Sequence, residues 1–230
     1  MLEQLLPGEF ATAEVFSDLQ TVRLWPGEES LVVGAVPRRA REFATTRDCA
    51  RRAMHGLGVA PSAVLRGPAG APVWPTGVVG SLTHCDGFRG AAVARTENAR
   101  SVGIDAEPHA PMPVGVAGLI ARPAESDRLA LLAAASPDVA WDRVLFCAKE
   151  ALYKAWFPST GRWLNFTEVE VTLESSGIFA AVLADHRDAG SHLVHELTGR
   201  WLVDWDRSLV LAAAYALQVA ATGEIPVDAC

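Results

Sequence analysis

Between about Arg38 and Leu57, the apolar positions Phe43, Ala50, Ala53, Met54 and Leu57 recur at helical spacing, and Gly56 and Gly58 supply a stop. Three strand-like segments follow, Val78 to His84, Phe88 to Arg95 and Arg100 to Glu107, separated by short turn-rich pieces. A proline-broken connector from Ala110 to Asp127 leads into an apolar helical run near Leu129 to Ala135. A long helix then starts near Trp141. Beyond Pro158 the pattern returns to strands: Glu168 to Leu173, Ile178 to Ala184, Gly199 to Trp205 and Leu209 to Leu217. The first 35 residues mix short apolar runs with Pro7 and Pro26 and predict little, and the tail 222–230 reads as frayed.

Helix plus strands therefore occurs twice, before and after about Pro113, with no repeat visible residue by residue. The predicted fold class is α+β: two similar α/β halves in a pseudo-twofold arrangement, residues 1–112 and 113–221. Clefts between halves are favoured ligand sites, and one is expected there. The chain has 230 residues, of which 50% are apolar, enough for one large domain or two small ones. Its net charge of −7 (20 basic and 27 acidic residues) argues against nucleic acid as the main partner. The longest apolar run, Leu209 to Ala221, is broken by Tyr215 and Gln218 and is too short to span a membrane. The start, MLEQLLPGEF, lacks the pattern of a signal peptide, so a cytoplasmic protein is expected. Cys49, Cys85, Cys147 and Cys230 show no CxxC spacing and read as reduced thiols, mostly buried.

Against that acidic background, Arg38, Arg39, Arg41, Arg47, Arg51 and Arg52 crowd one helix with only Glu42 and Asp48 beside them. Spacing does not separate a solvated helix face from an anion site, for which arginine forks are suited. Motifs for nucleotide loops, serine hydrolases and zinc proteases are absent, and His192 and His195 lack a third ligand nearby. In GIDAE, Asp105 and Glu107 point to one face of a strand, because side chains alternate with period two. Such a pair is either an acidic edge facing water or half of a site for a small hard cation such as Mg²⁺. It cannot flank a sugar from both sides, which excludes a glycosidase. His84 ends its own strand among Gly80, Ser81, Thr83 and Gly87, small residues that would let a ligand reach the backbone.

The stretch FCAKEALYKAWFP, Phe146 to Pro158, holds both lysines of a chain whose other 18 basic residues are arginine. On a helix, Glu150 and Lys154 share a face, as do Lys149 and Tyr153. Phe146, Ala148, Leu152, Ala155 and Trp156 make that helix apolar over much of its surface, so its charges need partners or a ligand. A third acid facing GIDAE would complete a cation site. A lysine beside it could neutralise phosphate or donate a proton, which guanidinium essentially cannot do.

Taken together, WPTGVVGSLTHCDGFRGAAV (Trp74 to Val93), SVGIDAEP (Ser101 to Pro108) and FCAKEALYKAWFP resemble the motifs of the phosphopantetheinyl transferases of the large, pseudo-dimeric type. That type serves polyketide, non-ribosomal peptide and siderophore synthesis, and the form of the motifs is similar to that of actinobacterial members. REFATTRDCARRAM (Arg41 to Met54) resembles the family's arginine-containing helix, and the ordered matches span about residues 38 to 165. The resemblance implies transfer of the 4′-phosphopantetheine arm of coenzyme A to a serine of an acyl or peptidyl carrier protein, releasing 3′,5′-ADP. It implies Mg²⁺, with Mn²⁺ as an alternative, on Asp105, Glu107 and Glu150. It makes Glu150 the base for the serine hydroxyl and Lys154 the stabiliser of the leaving phosphate. His84 is placed on a coenzyme A phosphate, with Arg39, Arg47, Arg52 and Lys149 for the remaining phosphates and Ser81 and Thr83 beside them.

Relatives carry a lysine in the turn before the WP motif, where this chain has Ala69, with Arg66 three residues earlier. Either Arg66 reaches the same phosphate or coenzyme A binds more weakly. Carrier docking is expected on the connector Pro111 to Arg122, through Met112, Leu119 and Ile120. A chain that contains both halves needs no second copy to build the site, so a monomer is expected. The alternative is a catalytically silent module that binds coenzyme A or a carrier, which would have little use for both a metal cluster and a general acid.

Overall fold

A computed structural model describes residues 1–183 and 197–218 of the chain. The expectations for His192, His195, Cys230 and the tail fall outside these residues. The first half is a three-stranded antiparallel sheet of order β1-β5-β4, formed by β1 (Phe10–Val15), β4 (Val78–Cys85) and β5 (Phe88–Arg95). A short helix α1 (Leu2–Leu5) precedes it, and a small hairpin of β2 (Leu65–Arg66) and β3 (Pro72–Val73) projects beside it. The 20-residue helix α2 (Pro37–Gly56) starts with proline, whose fixed φ suits a first turn, and buries Cys49, Ala50, Ala53 and Met54 against Ala91 and Val93 of β5.

The second half repeats the plan on a larger scale. Its antiparallel sheet runs β6-β10-β9-β8-β7, from β6 (Ala99–Pro108), β7 (Val169–Leu173), β8 (Ile178–Leu183), β9 (Thr198–Asp204) and β10 (Leu209–Leu217). Helices α3 (Ala117–Ile120) and α4 (Pro123–Ala135) lie in the connector and just after it. The 20-residue α5 (Trp141–Thr160) lies across the sheet, burying Val144, Cys147, Ala148, Ala151, Leu152, Ala155 and Trp156 against Val210, Ala212 and Ala214 of β10. It ends at Gly161 in the left-handed region at φ 66°, a conformation that favours glycine.

Two features of the sheets do not follow the order of elements along the chain. Strand β6 precedes residue 112, yet it pairs with β10 from Leu209↔Pro108 to Leu217↔Ala99. The sheets therefore change hands between Arg95 and Ala99, because β6 completes its backbone bonds with a strand about 100 residues later in the chain. The N-terminal segment also contributes more than expected, since β1 pairs along β5 from Phe10↔Ala94 to Val15↔Arg89.

The halves meet where β4 lies beside β6, and side-chain hydroxyls replace a backbone ladder. The amide of Ile104 donates to Ser81 Oγ (3.0 Å), and that of Ala106 donates to Thr83 Oγ1 (3.1 Å). On the other side of β6, α5 approaches so closely that a Cβ on Gly103 would stand 1.9 Å from the carbonyl oxygen of Ala151. Ser101 Oγ adds a hydrogen bond to the Ala155 carbonyl. This contact sets α5 against the end of β6 and brings their charged residues together.

Candidate functional site

Asp105 is the junction of three elements. Lys154 Nζ, on α5, donates to Asp105 Oδ1 at 2.6 Å and to the Ile104 carbonyl at 3.2 Å, while Thr83 Oγ1 of β4 also reaches Oδ1 at 3.2 Å. The other oxygen, Asp105 Oδ2, is buried with no hydrogen-bond partner among the described residues. Leaving a buried acceptor unmatched costs about 1–3 kcal/mol, and more when it is charged, so such an atom calls for a missing partner. Burial opposes the charge on Lys154, but Asp105 and then Glu150 outweigh it and raise its pKa, keeping the ammonium protonated.

Glu150 stands one turn before Lys154. Burial raises its pKa first, Lys154 opposes and Asp105 adds to the rise; it forms no hydrogen bond or ion pair among the described residues. Glu107 is also raised, by burial and then Asp105, and its Oε2 is paired with Arg143 Nη1 at 3.0 Å. Among the described residues no three His, Cys, Asp or Glu side chains form a ready-made metal cluster. A preformed cage is not what Mg²⁺ requires, since it commonly takes one or two carboxylates and completes its shell with water and phosphate oxygens. The orphaned Asp105 Oδ2 and the free carboxylate of Glu150 are hard oxygen donors of that kind, so the residues fit such an ion.

A cavity of about 260 Å³ lies between the halves, and Glu150, Tyr153 and Lys154 line it together with Arg39, Arg47 and Arg66. Arg47 is buried, lies flat 3.8 Å over the Phe43 ring and donates through Nε to the Val64 carbonyl at 3.3 Å. Burial depresses its pKa to about 10; Glu28 offsets part of that, while nearby Arg66 and Arg39 add to it. It remains a cation at neutral pH. Positive charges gathered around one cavity repel one another, and an anion between them relieves the repulsion. Ala69 and Gly70 form the cavity rim in the β2–β3 turn, both at positive φ (50° and 83°).

His84, at the end of β4, also lines the cavity. Burial and then Arg39 lower its pKa to about 4, so it is a neutral imidazole at pH 7 and a neutral hydrogen-bonding group for a ligand. Its Nε2 is 4.0 Å from Glu42, a carboxylate that also faces Arg38 (3.0 Å), Arg39 (3.5 Å) and Arg89 (3.6 Å).

Other expected contacts are elsewhere. Lys149 is 1% exposed and does not reach the cavity. Its ammonium is caged by the carbonyls of Ile120 (2.9 Å), Phe166 (2.7 Å) and Val169 (3.1 Å) and by Glu125 Oε2 (2.7 Å). With every proton taken, it has none left for a phosphate. Arg52 is exposed on another face of α2, in a shallow groove with Leu19 and His55. Ser81 lines the cavity, but its hydroxyl, like that of Thr83, is occupied in joining β4 to β6. In the connector, Leu119 is 74% exposed as expected, but Ile120 is buried, and Val114 is the fully exposed apolar residue.

Arg143 and Tyr153 also belong to the site. Arg143 precedes Glu150 by seven positions, two helical turns on one face, a spacing that could have drawn notice. Tyr153 lines the cavity with a buried hydroxyl that has no partner among the described residues.

Residues 27–94 match the sequence profile of the 4′-phosphopantetheinyl transferase N-terminal domain, and residues 101–217 match that of the 4′-phosphopantetheinyl transferase superfamily. The chain belongs to that superfamily. The gap between the two matches falls where the sheets change hands. The chain is 46% identical to the 4′-phosphopantetheinyl transferase Svp of Streptomyces mobaraensis, over 97% of this chain and 92% of that protein. It is 44% identical to Npt of Nocardia iowensis (94% and 100% covered) and 47% identical to PptT of Mycobacterium tuberculosis (89% and 91% covered). The solved holo-ACP-synthase of Plasmodium yoelii aligns with 53% of this chain and 96% of that one, at 17% identity and a TM-score of 0.34, a likeness too slight to argue from. Transfer of phosphopantetheine from coenzyme A to a carrier protein is the activity of this superfamily.

Proposed function

We propose that this chain transfers the 4′-phosphopantetheine arm of coenzyme A to a serine of an acyl or peptidyl carrier protein, with the cavity between the halves as the coenzyme A site. The observation that carries this reading is the lining of the cavity: Arg39, Arg47 and Arg66 share it with Glu150 and with Lys154, whose partner Asp105 keeps one carboxylate oxygen unmatched among the described residues. Arg39, Arg47, Arg66 and His84 receive the phosphates of coenzyme A. Arg66, on the wall beside Ala69, takes the part of the lysine that relatives carry in this turn. Asp105, Glu107 and Glu150 would hold Mg²⁺ or Mn²⁺, which would supply positive charge to neutralise the pyrophosphate.

Glu150, its pKa raised by burial, accepts the proton of the serine hydroxyl, directly or through water. The serine oxygen attacks the phosphorus that bears the pantetheine arm, and the bond from that phosphorus to the oxygen of the second phosphate breaks. The electron pair leaves with 3′,5′-ADP, and the ammonium of Lys154 faces the charge that develops there. Exposed Val114 and Leu119 of the connector offer an apolar surface for the carrier protein. The protein works in the cytoplasm as a monomer, since both walls of the cavity come from one chain.

The test is the intact mass of an apo carrier protein incubated with coenzyme A, Mg²⁺ and this protein, beside a Glu150→Ala variant. A gain of one phosphopantetheine arm with the parent only, abolished by chelator, is the expected result. Tight coenzyme A binding with no mass gain on several unrelated carriers would leave a silent binding module.

A further inference from the structure

The exit of β6 is fastened to the first turn of α5 at three points. The amide of Ala140 donates to His109 Nε2 (3.0 Å), and the amide of Met112 donates to Asp142 Oδ2 (2.9 Å). The third fastening is Arg143, whose three nitrogens all have partners. Nε donates to the Ala110 carbonyl (3.1 Å), Nη2 to the Pro111 carbonyl (3.4 Å) and Nη1 to Glu107 Oε2 (3.0 Å). The Arg143 side chain is 16% exposed. A planar guanidinium anchored on two backbone carbonyls is not a mobile counter-ion. It determines where the carboxylate it touches will stand.

We propose that Arg143 is a positioning residue: it holds Glu107 by one carboxylate oxygen in the place where Glu107 ligates the divalent cation, and ties that carboxylate to the connector at residues 110–111. The inference rests on the cation reading above. Groups that hydrogen-bond to metal-ligating carboxylates orient them, and losing one costs about 10–100-fold in metal affinity. Charge alone argues the other way. A guanidinium beside Glu107 repels a second cation, so a merely neutralising Arg143 would, on removal, leave a site that binds the cation more tightly. The sign of the change separates the two roles.

The experiment is titration of Mn²⁺ into the full chain with saturating coenzyme A, reading free Mn²⁺ by electron paramagnetic resonance, for the parent, Arg143→Gln, Arg143→Lys and a Glu107→Gln control. The expected result is binding weakened about tenfold or more in Arg143→Gln, with Arg143→Lys in between because it keeps the charge but loses the fork. Melting temperatures close to the parent's would show that the fold is intact. If Arg143→Gln fails to fold, Arg143→Lys decides: parental Mn²⁺ affinity overturns the proposal. Unchanged or tighter binding in Arg143→Gln also overturns it. A parent that binds no more Mn²⁺ than the Glu107→Gln control would overturn the cation reading beneath it instead.

Discussion

Five positions apart on α5, Lys149 and Lys154 each meet a buried carboxylate, and the two meetings differ in what is left over. At Lys149 nothing is. Its ammonium has four oxygen acceptors, and the carboxylate of Glu125 is filled in turn by the amides of Arg122 (2.7 Å) and Val171 (2.6 Å). At Lys154 the pairing is partial, because Asp105 Oδ1 takes both Lys154 and Thr83 while Oδ2 has no partner among the described residues. A satisfied buried pair ties elements together; a partly satisfied one beside a cavity is arranged for a visitor. Both sites use a compact ammonium where a forked guanidinium would not fit among converging oxygens, which accounts for two lysines in a chain with 18 arginines.

The comparison predicts opposite phenotypes. Lys149→Met leaves the buried Glu125 carboxylate without its counter-charge and beside three unmatched carbonyls, and breaking a buried pair from one side costs about 3–5 kcal/mol. For a chain of this size that lowers the melting temperature by about 10 °C or more, read by calorimetry, while activity per folded molecule survives. Adding Glu125→Leu should not return the loss, because it also strands the amides of Arg122 and Val171. If Lys149→Met melted like the parent but lost coenzyme A affinity, the cage would not be the resting place of this side chain.

Lys154→Met should do the reverse. Removing a preorganised charge from a developing anion costs about 100–1,000-fold in rate, and kcat for carrier modification should fall by that amount. Melting should change less than in Lys149→Met, because the Lys154 side chain is 27% exposed and that of Lys149 is not exposed at all. A Lys154→Met variant with parental kcat would remove Lys154 from the chemistry.

The sequence marks both lysines as needing partners but does not separate their settings. Asp105, Glu107, Glu150 and Lys154 could be found because their spacing is local, two apart on a strand and four apart on a helix. The fate of Lys149 depends on carbonyls at positions 120, 166 and 169 and on Glu125, and no pattern within α5 announces them. The same holds for β6. Its alternation marks it as a strand, but its partner β10 lies about 100 residues on, and no local pattern announces that pairing. Ser81 and Thr83 look like ligand contacts from their position near His84. Only the packing of β4 on β6 reveals that their hydroxyls serve the amides of Ile104 and Ala106.

The smallest change examines what places the two lysines together. Gly103→Ala puts a methyl 1.9 Å from the Ala151 carbonyl oxygen and 2.5 Å from the Ala155 nitrogen, so α5 must back away from β6. Overpacking of this kind costs about 1–3 kcal/mol, less than emptying the Lys149 cage. Yet the displacement falls unevenly. The acceptors of Lys149 come from residues 120–125 and 166–169, whereas Lys154 depends on Ile104 and Asp105 of β6, the strand that α5 would leave. Gly103→Ala is therefore expected to melt only a few degrees early while losing carrier modification well beyond what its folded fraction explains, measured by kcat/KM and thermal unfolding on the same sample. A variant that melts early but keeps the parental kcat/KM would mean that the contact at Gly103 supports the fold without setting the distance between Lys154 and Asp105.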